Sequence, residues 1–75
     1  MPTTKDINKY IGIIYYDKGF DGHFLIYRYN KDEEMYDEYC LEHPKEGFKN
    51  YRMEYSNFIV GLKDKDFIIK CGYNG

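Results

Sequence analysis

Asn30 to Glu46 reads NKDEEMYDEYCLEHPKE, and whether its middle is strand or helix decides the fold. As a strand, residues 34–42 place Met35, Tyr39 and Leu41 on one face, with Asp37 interrupting. The other face then carries Glu34, Tyr36, Glu38, Cys40 and Glu42, because strand side chains alternate. As a helix, capped by Asp32 and stopped before Pro44, the stretch pairs Met35 with Tyr39 and Tyr36 with Cys40 at i and i+4.

The flanking chain favours the strand. Tyr10–Tyr16 (YIGIIYY) and Phe24–Tyr29 (FLIYRY) are β-branched and aromatic runs separated by the turn-forming Asp17–Gly22 (DKGFDG). Tyr51, Met53 and Tyr55 alternate with Arg52, Glu54 and Ser56, the pattern of a half-buried strand. Phe58–Leu62 (FIVGL) and Phe67–Cys71 (FIIKC) flank the polar Lys63–Asp66 and read as a second hairpin. Gly12 and Gly61 fall inside these runs, which marks bulges or close backbone approach. The expected fold is mainly β, a single small domain over residues 1–75. It is an antiparallel meander or small barrel of five to six strands, with a His43–Gly47 loop. An α+β fold with one short acidic helix near residues 32–42 is the alternative. The expected core is Ile11, Ile13, Leu25, Phe58, Val60, Phe67 and Ile69, with Met53 and Leu41 at its margin.

Charge is distributed unevenly. Residues 30–46 hold seven acids against two lysines, a local charge of −5. Residues 1–29 carry +1 and residues 47–75 carry +2, so the total of −2 hides a strongly negative segment. Such asymmetry speaks to partners rather than to fold. The chain also holds ten tyrosines and five phenylalanines, more than a core of this size can hide. Exposed tyrosine is a favoured binding anchor.

Chemistry is sparsely supplied. Ser56 is the sole serine, and no glycine-flanked serine elbow occurs. Cys40 or Cys71 with His23 or His43 forms no spaced dyad. Cys40 and His43 make one C-x-x-H pair, whereas a structural zinc site needs two close pairs. Asp17–Gly22 lacks the alternating acids of a calcium loop, and phosphate-binding glycine motifs are absent. No enzymatic activity, metal or cofactor is therefore expected. The two cysteines are expected to be reduced thiols, with a single Cys40–Cys71 bridge as the alternative. No secretory leader and no stretch of about 20 apolar residues is visible, so a cytoplasmic setting is expected. The absence of Ala and Gln, the single Val60 and the plentiful Lys, Asn, Ile and Tyr suggest an AT-rich gene from a low-GC bacterial host, or from a phage or mobile element within one.

On a strand, same-face residues recur about every 6.6–7 Å, and Glu34, Glu38 and Glu42 share one face, with Tyr36 between the first two. Such a ladder is expected to fit a lysine- and arginine-lined groove built for nucleic acid. The expected partner-binding set is Glu34, Tyr36, Asp37, Glu38, Tyr39 and Glu42. The expected partner is a protein with a basic groove, a nucleic-acid-processing enzyme. The same charges would also guard a sheet edge against aggregation. By class, a tiny acidic, tyrosine-rich chain of this kind is expected to act as a phage-type inhibitor, in the manner of anti-CRISPR and anti-restriction proteins. Two other readings remain. One is an accessory or immunity-type subunit. The other is a single-strand nucleic-acid-binding module using Tyr27, Arg28, Tyr29, Lys49, Tyr51, Arg52 and Tyr55, which the overall acidity disfavours.

Overall fold

The computed structural model describes residues 3–42 and 51–72. Five strands form one antiparallel sheet: β1 (Ile14–Asp17), β2 (Gly22–Asn30), β3 (Met35–Cys40), β4 (Tyr51–Glu54) and β5 (Phe67–Cys71). Their order is β4-β3-β2-β1-β5. Among the described residues two helices accompany the sheet, α1 (Thr4–Asn8) and α2 (Tyr55–Lys63). The fold is mainly β, as the alternating patterns predict, and among the described residues the sheet is open, with β4 and β5 at its edges. Residues 35–40 are strand rather than helix. The expected His43–Gly47 loop and Lys49 lie outside the described residues.

Turn chemistry sets the two hairpins. Asp17 accepts a backbone bond from Asp21 at 2.8 Å, and its carboxylate accepts from the Phe20 N–H at 3.2 Å. Asn30 Oδ1 likewise accepts from the N–H groups of Asp32 and Glu33, at 3.0 and 3.2 Å. Both are side-chain-braced turns of the kind Asp and Asn favour. Each ends on a left-handed residue, Asp21 (φ 59°) or Glu34 (φ 55°). Tyr27 is an extra residue on β2, a bulge between Ile26 and Arg28.

Two expectations are corrected. Phe58–Leu62 is not a strand; it lies within α2. Tyr55, Phe58, Ile59 and Leu62 sit at i, i+3, i+4 and i+7, so one helical stripe faces the sheet. The helix stops in a Schellman motif. Lys65 takes a left-handed φ of 61°, its N–H bonds the Leu62 carbonyl, and the Asp66 N–H bonds the Gly61 carbonyl. Gly61 does mark a close approach, since a Cβ there would meet the Phe67 ring at 2.3 Å. The run from Tyr10 is likewise strand only from Ile14. Before it, α1 is closed by a reciprocal Thr3–Asp6 capping box.

The core lies between one sheet face and α2. Phe58 is its hub, with ring centroids 5.1 Å from Tyr10, 5.1 Å from Tyr15, 5.8 Å from Tyr36 and 5.9 Å from Phe67. Ile13, Phe24, Ile26 and Cys40 complete the buried set, with Ile69 and Met53 packed at its border. Ile13, Phe58, Phe67, Ile69 and Met53 are therefore placed as the sequence suggests. Ile11, Leu41 and Val60 are exposed, Val60 by 55% because it points outward from α2, and Leu25 lies half-buried on the opposite sheet face. Cys40 and Cys71 are free thiols. Among the described residues no helix is long and apolar enough to cross a membrane.

Candidate interaction site

The alternation expected in β3 is present, but the faces are inside out. Tyr36 pairs with Tyr29, Glu38 with Ile26 and Cys40 with Phe24 across the β2–β3 ladder. That face is covered by α2 and shares its core with the Tyr15 ring, so Tyr36 is 0% and Glu38 1% exposed. The continuous surface ladder of Glu34, Glu38 and Glu42 is not formed. Glu34 precedes the strand in the turn, Glu38 is in the core, and Glu42 follows the strand at the surface.

The six expected site residues enter distinct surroundings. Tyr36 donates its hydroxyl to the Ile7 carbonyl at 2.6 Å, fastening α1 to the sheet. Burial pushes its phenol well above the usual range. Glu38 receives the Tyr15 hydroxyl at 2.6 Å. Burial is the main cause that raises its carboxyl to about 7, with the charge of Asp17 adding and the Tyr15 bond opposing. Asp37 points to the other face and is 1% exposed. Arg28 Nε donates to its Oδ2 at 2.5 Å. Arg52 Nε lies 3.1 Å from Oδ1 but off the hydrogen-bond direction, so that contact is an ion pair only. Tyr39 stacks on Tyr27 at 4.2 Å beside this clamp. Glu42 accepts from the backbone N–H of His23 at 2.5 Å and lies 2.6 Å from its Nδ1. The backbone bond is the main cause that holds the Glu42 carboxyl below its ordinary value.

Acidic side chains do converge elsewhere, in a cleft of about 480 Å³ at the β4 edge. Its walls are Ile7, Tyr29, Tyr55, Glu33, Glu34, Glu54 and Ser56. The braced β2–β3 turn supplies Glu33 and Glu34, and the β4–α2 junction supplies Glu54 and Tyr55. Glu33 is ion-paired with Arg52. Glu34 and Glu54 have no ion-pair partner among the described residues. Burial pushes up the phenols of Tyr29 and Tyr55, helped by Glu34 and Asp6 respectively, so both remain hydrogen-bond donors. The cleft thus offers carboxylates at its rim and apolar rings at its wall. Those features suit a lysine or arginine side chain, whose stem is apolar and whose head is cationic.

Of the expected set only Glu34 belongs to this cleft. Glu33, Glu54 and Ile7 are not among the expected binding residues, and Tyr29 and Tyr55 are named only for the single-strand-binding alternative, because the cleft is assembled from three separate segments. The nearest signal was the Glu33–Glu34 pair just ahead of the strand. No protein family, curated protein or solved structure matches the chain.

Proposed function

We propose that the chain is a non-enzymatic interaction module that occupies a basic, nucleic-acid-binding groove of a processing enzyme. In this reading it is an inhibitor of phage or mobile-element type, acting inside a bacterial host. One observation carries the proposal: two carboxylates without ion-pair partners among the described residues, Glu34 and Glu54, flank a tyrosine-walled cleft. A partner's lysine or arginine inserted there exchanges water for charge-assisted bonds and ring contact. The surrounding acids, Asp32 and Glu33 in the same turn, steer the encounter.

The single-strand-binding reading has one supporting feature, the Tyr27–Tyr39 stack beside Arg28 and Arg52. Both arginines are already directed at Asp37, which lowers their value for phosphate.

The test captures partners from a bacterial lysate on the immobilised chain and on its Glu34→Lys/Glu54→Lys variant. The expected result is a nucleic-acid enzyme held by the parent only, released by added salt and displaced by DNA. Equal capture by both chains, or tight binding of the parent to a labelled oligonucleotide at physiological salt, would overturn the proposal.

A further inference from the structure

The second edge of the sheet has different chemistry. Strand β5 pairs with β1 on one side, and no described residue pairs with its other side. The pairing Asp17↔Phe67, Tyr16↔Ile68 and Tyr15↔Ile69 continues past the strand end, where the Lys18 N–H bonds the Asp66 carbonyl at 2.9 Å. In an antiparallel ladder bonded and non-bonded pairs alternate. Lys18–Asp66 and Tyr16–Ile68 are therefore the bonded pairs. The N–H and C=O groups of Phe67 and Ile69 point away from β1, at the free edge.

A groove of about 530 Å³ runs along that edge. Tyr10, Leu62, Phe67, Ile68 and Ile69 give it apolar walls, and Lys18 and Lys65 stand at its rim. Neither lysine has an ion-pair partner among the described residues. Lys63 and Lys70 lie close in sequence, against Asp64 and Asp66, so the edge is basic while the opposite β4 edge is acidic.

We infer that β5 accepts an added strand from an extended partner peptide in which apolar and acidic residues alternate. Three features select this occupant. Open backbone groups at every second residue match a strand's own spacing. The groove takes apolar side chains on one side of that strand. The two lysines at the rim of that groove match carboxylates interspersed with the apolar side chains. Lys70, exposed on the strand, guards the same edge against indiscriminate pairing.

Amide exchange and peptide titration test the inference. In the free chain, the Phe67 and Ile69 amides should exchange much faster than the Ile68 amide. Equal protection of all three would mean that the edge is already covered, and would overturn the proposal. A short acetylated and amidated peptide alternating valine and glutamate is then titrated into the isotope-labelled chain. The Phe67 and Ile69 amide signals should shift and become protected. N-methylating the peptide along one edge should weaken binding about tenfold, the scale of one or two lost backbone bonds. Lys18→Glu/Lys65→Glu, with an unchanged melting temperature, should weaken it by a similar factor. No binding at about 1 mM peptide, indifference to N-methylation, or groove shifts with decanoate but not with peptide would each overturn strand addition. So would sedimentation of the free chain as a dimer with the Phe67 and Ile69 amides protected, since a second copy would then be the occupant.

Discussion

Asp37 and Glu38 are neighbours on one strand, equally buried, and kept in opposite ways. Asp37 faces the sheet side that α2 does not cover, and two guanidinium groups close over it. Glu38 faces the core, where its polar contact is the Tyr15 hydroxyl and the charge that acts on it is the like-signed Asp17. Burial of a carboxyl is tolerated when a cation sits with it, or when the group takes up a proton. This sheet uses the first device on one face and a group poised for the second on the other.

Removing both cations is the severest way to break the contrast. Arg28→Ala/Arg52→Ala leaves Asp37 buried without either partner and should cost about 3–5 kcal/mol, read by urea unfolding. A loss below about 0.5 kcal/mol, the ordinary surface range, would mean that Asp37 is solvated in solution.

The pH dependence should separate the two residues next. The Glu38 carboxyl is raised from 4.5 to about 7 in the folded chain. The folded state therefore holds a proton that the unfolded state has released between those values. Stability is at its full value below 4.5 and falls as pH rises through about 7, by about 3 kcal/mol in all. Glu42, held low by His23, acts oppositely and only as pH drops through the acidic range. Glu38→Gln should flatten the fall near neutrality and make the chain the more stable of the two at alkaline pH. An unchanged slope in that variant would assign the dependence elsewhere.

Tyr15→Phe refines the same point. It removes the donor that favours the carboxylate, so Glu38 should titrate at still higher pH, followed by carboxyl NMR. The stability cost should be about 1–2 kcal/mol, that of a lost buried hydrogen bond. A downward shift would mean that the hydroxyl does not serve Glu38. The smallest effect is expected outside both faces. Glu34→Lys/Glu54→Lys should change stability within about 0.5 kcal/mol while abolishing capture of a basic partner.

The sequence discloses the period of each element better than its orientation. Strands β2 to β5 were legible from alternation and turn residues, and Asp17–Gly22 announced its hairpin. FIVGL misled because a short apolar run fits both a strand and a buried helix face. Starting the window at Tyr55 reveals the helical spacing, yet Tyr55 also completes the alternation of Tyr51 and Met53. The β3 faces were separated correctly and then assigned the wrong way round. Alternation fixes which residues share a face, whereas coverage by α2 decides which face is dry. Two acids beside tyrosines read naturally as surface, and only the cross-strand partners Ile26 and Tyr29 show otherwise. The cleft was illegible for a simpler reason: its walls meet only after α1, the β2–β3 turn and α2 have been placed.

The strand order also has a kinetic consequence. β1, β2 and β3 are joined by short turns and can zip locally, and β4 adds beside β3. β5 must instead return to the first strand, closing a loop from Asp17 to Phe67 after α2 has crossed the sheet. Such distant pairing carries the larger entropic barrier and should form late. Until it forms, the flank of β1 remains a bare edge beside the aromatic core. The growing chain is then most prone to pair with its own copies, and α2 docking through Phe58 shortens that interval.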